Sequence, residues 1–198
     1  MRRPALLAAL LLLGACSSSG SSGDSKADSA ASKPATSSPG FFDRLFSSSD
    51  SNLSCPTVTR IGDATRLTRF VPGGRDLTDV AFEARIGGIS GNCSGNEKRI
   101  QVQMNAQFIA SRGPADKGRK APFDYFVAIT DNNENVLVRQ EFNTIIPFPG
   151  NQTRSGVEEQ LDQTIPIVKG QQGSDFHIFI GFVLTPEEIA YNRAHPHP

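Results

Sequence analysis

The sequence predicts an all-β fold, an antiparallel β-sandwich closed by a short C-terminal helix, and three observations carry that reading. Apolar and polar residues alternate over long stretches after Cys55, the period of a strand with one dry and one wet face. Gly-, Pro- and Asn-rich turn signals punctuate these stretches at short intervals. A helix signal stands out only at the end of the chain. The segment from Cys55 to Arg193 is one domain's worth of chain, and about seven strands fit it, with a barrel as the alternative closure.

The chain begins with Arg2 and Arg3, then an apolar run of twelve residues from Pro4 to Ala15. Roughly 20 residues are needed to cross a bilayer as a helix, so the layout is that of a cleaved secretory signal, residues 1–15. It closes on Leu13-Gly14-Ala15-Cys16, which resembles the lipobox of bacterial lipoproteins. That resemblance implies acylation of the Cys16 thiol, by palmitate-type chains, at the start of the mature protein. It also implies residence at the outer membrane on its periplasmic side, because Ser17 departs from the Asp that retains such proteins at the inner membrane. Two or three acyl chains anchor stably where one does so only marginally. Of the three cysteines, Cys55 and Cys93 then remain as a pair in an oxidising compartment, where a disulfide is expected; two buried thiols are the alternative.

Residues 16–54 read as a lipidated cysteine followed by a disordered tether, with fifteen serines among the 38 residues from Ser17 to Ser54. Such a stretch cannot bury enough apolar surface to offset its ordering entropy. As a flexible coil it would reach roughly 35 Å. Within it Phe41, Phe42, Leu45 and Phe46 carry the spacing of one side of a short helix, a local turn docking on its own domain or a motif for a partner groove.

The strands follow in order. Val80, Phe82, Ala84 and Ile86 alternate with Glu83 and Arg85. Ile100, Val102, Met104, Ala106, Phe108 and Ala110 alternate with Gln101, Gln103, Asn105 and Gln107. A run near 123–130 is apolar on both faces. Val136 to Phe148, Leu161 to Ile167 and Phe176 to Leu184 complete the set. Thr185-Pro186-Glu187-Glu188 supplies an N-cap, a proline at N1 and a Glu at N3, so a helix should run from Pro186 to about Arg193. Residues 194–198 read as a frayed tail. Size and strand number resemble an immunoglobulin or fibronectin type III domain, a likeness of architecture. Phe126, Phe179 and Val183 put large side chains on the face a sandwich normally solvates. With Phe41, Phe42 and Phe46 they are the candidate partner surface, and the C-terminal helix is the expected lid over part of it.

Chemical motifs are sparse. His177 is the one histidine placed to act as a base, and Gly88-Ile89-Ser90-Gly91 does not match a nucleophile elbow. Asp131 to Glu134 reads as a hairpin turn, since it lacks calcium-loop spacing. The basic loop Arg112 to Lys120 is a solvated connection or a contact for an anionic glycan or lipid head group. The sequence thus assigns no catalytic residue, no metal ligand and no cofactor. The whole chain holds 20 basic and 20 acidic residues; removing Arg2 and Arg3 leaves 18 against 20, a net of −2. That nearly neutral balance gives no reason to expect a nucleic-acid partner. The lipobox, the Cys55-Pro56 start, the Arg112-Gly113-Pro114 loop and the Leu184-Thr185-Pro186-Glu187-Glu188 ending resemble proteobacterial envelope lipoproteins of unassigned function. The resulting expectation is a non-enzymatic binding or scaffold module, held to the membrane by its lipid and serving an envelope protein or glycan. An envelope hydrolase acting on cell-wall or glycan substrate is the alternative.

Overall fold

In the computed structural model, residues 46–48 and 54–196 are described. They form two sheets packed face to face, with one short helix at the C-terminal end. The signal segment 1–15, Cys16, Phe41 and Phe42 lie outside the described residues.

The first sheet is built on β4 (Val80–Asn96) and β5 (Arg99–Arg112), an antiparallel hairpin joined by Glu97 and Lys98. Asn96 caps the turn by accepting from the Lys98 amide through its side chain at 3.0 Å. On one side β5 pairs with β8 (Arg154–Pro166). The other edge of β4 carries β3 (Arg66–Phe70), antiparallel along Val80–Arg85, and β1 (Phe46–Ser48), parallel along Gly91–Cys93. The second sheet runs in the order β2 (Thr57–Arg60), β9 (Phe176–Phe182), β6 (Lys120–Asp131), β7 (Val136–Pro147). All its pairs are antiparallel except β2 with β9. The β-sandwich expectation stands. Nine strands are present among the described residues instead of about seven, and two short ones pair in parallel.

The differences have local causes. β4 continues ten residues beyond Ile86 because the register shifts at Gly87 and Gly88, a bulge that hides the alternation. A Cβ at Gly87 would stand 2.7 Å from Gln107 Oε1 and 3.3 Å from the Gln107 carbonyl oxygen, so a larger residue would have to displace the Gln107 side chain. β2 and β3 were not foreseen because each is short and buries only one or two residues, too few to show a period. Phe46 was expected on a helix within a disordered tether; it instead begins the strand β1, whose partners run from Gly91 to Cys93.

The inner faces make one core. Phe108 is fully buried, with ring centroids of Tyr125 at 4.6 Å, Phe123 at 5.4 Å and Phe182 at 5.9 Å. The even residues of β5 meet Phe123, Tyr125, Val127 and Ile129 of β6 and Ile178, Ile180 and Phe182 of β9. A disulfide joins Cys55, just before β2, to Cys93 on β4, with the Cα atoms 5.9 Å apart. It therefore ties one sheet to the other.

The helix α1 (Pro186–Ala194) begins as the capping signal requires. Thr185 Oγ1 accepts from the Glu188 amide at 3.2 Å, and Glu188 Oε2 accepts from the Thr185 amide at 2.9 Å. Its docking site differs from the expected lid position over Phe126, Phe179 and Val183. α1 packs on β3 and on the 3-10 turn Gly62–Ala64. The Tyr191 ring meets Phe70 edge-on at 5.2 Å, Glu188 pairs with Arg69 at 3.0 Å, and Asn192 donates to the Asp63 and Arg66 carbonyls, both at 2.8 Å.

Candidate functional site

The outer face of the second sheet is less apolar than its sequence suggests. Phe126 is buried, because the Arg139 guanidinium from β7 lies 3.9 Å above its ring centroid. This is a cation–π cover worth about 0.5–1 kcal/mol at an exposed site. Gly181 on the neighbouring strand leaves room for the ring edge: a Cβ there would stand 3.0 Å from both Phe126 Cζ and the Ala64 Cβ. Phe179 and Val183 are half-buried. Of the expected patch, Phe126 is thus covered by an arginine, Phe179 and Val183 stay half-buried, and the helix packs on β3 and the 3-10 turn instead. His177 sits on this face beside Phe179, with Nε2 3.2 Å from Asn132 Oδ1.

Exposed apolar side chains concentrate on β7 instead. Val136 is 62 % exposed, Leu137 50 %, Val138 39 % and Ile145 47 %. Leu77, on the 3-10 turn Leu77–Asp79, and Val168, in a loop, are also exposed, but each stands alone. β7 is the last strand of its sheet, so one side of its backbone has no strand beside it. The Phe148 amide donates to the Arg119 carbonyl at 2.9 Å. Counting back by two from Phe148, the even residues to Val138 face β6. Arg139, Glu141, Asn143 and Ile145 then point their amides and carbonyls away from the sheet. Pro147 falls on the same outward set, where its missing N–H costs no ladder bond. Native edges are commonly blunted with charge, and β8, the corresponding edge of the other sheet, carries Glu158, Glu159 and Asp162. On β7 the only charges are Arg139 and Glu141, paired with each other at 2.8 Å.

Between β7 and β8 the rim of the sandwich is polar. Thr144 donates to Glu159 at 2.6 Å, Gln163 donates to Gln140 at 3.2 Å, and Phe142 stacks on Tyr125 at 5.2 Å. Burial, helped by the Glu159 charge, pushes the Tyr125 phenol up to about 12. On the far side, β2, β3, β4 and β5 line a shallow cleft of about 770 Å³ with Arg60, Arg66, Arg85 and Gln107 and no carboxylate. Arg60 is committed to the Ile86 and Gly87 carbonyls (3.3 and 3.1 Å) and Arg66 to the His195 carbonyl (2.8 Å). That leaves Arg85 as the cleft's remaining guanidinium.

The basic loop is self-contained. Arg112 Nε donates to Asp116 at 2.6 Å, and the other Asp116 oxygen takes the Gly118 and Arg119 amides. Burial opposes ionisation of Asp116, but the Arg112 hydrogen bond and these amides together hold its carboxyl below the usual range. Gly113 is obligatory here, because any Cβ would collide with the Val80 carbonyl. Asp131 closes the β6–β7 turn by accepting from the Asn133 and Asn135 amides at 2.8 and 2.9 Å, as a hairpin reading of that stretch requires. Among the described residues no group of three His, Cys, Asp or Glu side chains is placed to hold a metal ion.

No protein-family model, curated protein or solved structure matches the chain.

The edge of β7 was the surface missed in the sequence. Its signal was the unbroken run Val136-Leu137-Val138 directly after a turn, apolar on both faces, in a strand that ends at Pro147.

Proposed function

We propose that this protein is a membrane-anchored periplasmic lipoprotein, held at the outer membrane by acyl chains on Cys16. Its β-sandwich is a non-enzymatic binding or scaffold module of the cell envelope. The observation that carries the binding part of this reading is β7, a twelve-residue edge strand with apolar side chains in solvent and backbone groups pointing outward. An extended segment added there gains main-chain hydrogen bonds along the strand and apolar contact with Val136, Val138 and Ile145. The lipobox supports the anchor, and the serine-rich tether supports a domain standing off the membrane.

Two measurements test the reading. Metabolic labelling with a clickable fatty acid should mark the wild type and fail on Cys16→Ala; equal labelling of both, or of neither, removes the anchor. A photo-crosslinking amino acid at position 145 should give an adduct in intact envelopes that Leu137→Lys suppresses. Turnover of an envelope substrate abolished by a single carboxylate change would replace this reading with the hydrolase.

A further inference from the structure

The edge of β7 is complementary to itself, and we infer that its occupant is β7 of a second copy of this chain, paired antiparallel about a two-fold axis through Gln140. This rests on the reading of β7 as a strand-accepting edge and names the strand that it accepts.

The register follows from two constraints. In an antiparallel pair, residues directly opposite must both point their backbone groups across the gap or both away. The outward set on β7 is Arg139, Glu141, Asn143 and Ile145, so the axis must pass opposite a residue and not between two. The charges then choose among the allowed positions. An axis at Arg139 sets Arg139 against Arg139 of the second copy, and an axis at Glu141 sets Glu141 against Glu141. Like charges directly opposite destabilise a sheet pair, and opposite charges stabilise it. An axis at Gln140 sets each Arg139 against the other copy's Glu141, twice over. The intrastrand contact of 2.8 Å between these two residues extends into a four-member alternating cluster on the outer face.

The inner face agrees. The same register places Val138, 39 % exposed, opposite Phe142 of the second copy, again twice, which covers apolar surface that the isolated domain leaves wet. The two Gln140 side chains meet at the axis as a pair not joined by backbone hydrogen bonds, beside their partners Gln163. The edge of β8 is a poorer match for itself, because Glu158, Glu159 and Asp162 crowd its middle with like charge. A symmetric pair closes on itself, so the edge is consumed and no fibre propagates. With a lipid on each chain, the dimer would hold the membrane at two points.

The test uses the full chain carrying Cys16→Ser in mild detergent, with mass measured by sedimentation. Wild type should be a dimer. Glu141→Arg alone sets arginine against arginine, and Arg139→Glu alone sets glutamate against glutamate. Each should weaken self-association by about tenfold or more. Mixed in equal amounts the two variants restore both Arg–Glu pairs and should form a heterodimer, which a merely misfolded variant would not do. Gln140→Cys should cross-link spontaneously, since opposed residues of this kind lie about 4.5 Å apart within disulfide reach. Asn143→Cys, whose own copy lies far along the strand, should not. A wild type that stays monomeric, charge reversals without effect, or cross-linking from position 143 and not 140 overturns the self-pairing. If the position-145 probe then still labels another polypeptide, β7 remains a binding edge with a different occupant. If it labels nothing, the binding reading falls as well.

Discussion

Removing the Cys55–Cys93 disulfide is the perturbation whose size can be worked most directly. The bridge closes a loop of 38 residues, and in the chain-entropy model such a loop stabilises the folded state by about 4 kcal/mol. The effect resides in the unfolded chain, which loses conformations when cross-linked. The native state should change little, because Cys93 is buried among apolar neighbours and alanine leaves no unpaired polar group there. Cys55→Ala/Cys93→Ala should therefore keep its far-UV circular dichroism while its melting temperature falls by roughly 10–15 °C for a domain of this size. With no Trp in the chain, urea denaturation followed by circular dichroism is the appropriate assay. Wild type under full reduction should show the same loss as the double variant, since both open the same loop. A loss below about 1 kcal/mol in both would refute the loop-entropy reasoning, because the model allows only small native-state offsets. A large loss in the variant with none on reduction would move the cause into core packing.

Other expectations follow from contacts already described. Phe108→Ala should destabilise by about 3–5 kcal/mol in the same assay, since three aromatic rings converge on that side chain. Thr185→Ala removes the N-cap bond of α1 and should cost about 1 kcal/mol. Truncation before Thr185 should uncover Phe70 on β3 and raise binding of a hydrophobic dye, with no change at Phe126. Tyr125 has a folded pKa raised from 10.0 to about 12, so the folded state holds its proton more tightly. Stability from this group is complete below pH 10 and declines as pH rises from 10 through 12. Tyr125→Phe should flatten that part of the stability profile. Asp116 has the opposite sign: its lowered pKa contributes stability above the ordinary carboxylate pKa that is lost as pH falls through the folded value, and Asp116→Asn should remove that acid-side slope.

The features legible in the sequence were those governed by strict local rules. The alternation from Ile100 to Ala110 is unbroken because β8 pairs with β5 in continuous register and the extra residue of the β4–β5 bulge sits on β4. The helix start was legible because capping is a contact between residues three apart. β4 was foreseen only as far as Ile86, since the bulge at Gly87 and Gly88 turns the period over. The docking of α1 on β3 was illegible for a different reason. It depends on Asp63, Arg66 and Phe70, more than a hundred residues away, and no local pattern encodes that match. The cover over Phe126 was hidden likewise: Arg139 reads as an ordinary outward residue until β6 and β7 are aligned and its guanidinium falls across the ring. The same alignment is what makes β7, with its exposed valines, an outermost strand.

The parallel pairing of β2 with β9 sets the order in which the molecule can be completed. Thr57 to Arg60 lie beside His177 to Ile180, so the earliest strand of the second sheet waits for the latest. The β4–β5 hairpin closes through two residues and forms from local chain, whereas the seam at β2 needs a loop of over a hundred residues to shut. Contacts of such sequence separation slow folding, because closure entropy is lost before they form. A chain emerging from its N-terminus therefore carries β2 unmatched, apart from the bridge at Cys55, until β9 arrives. Shortening the chain at its far end by one strand would strand its near end too.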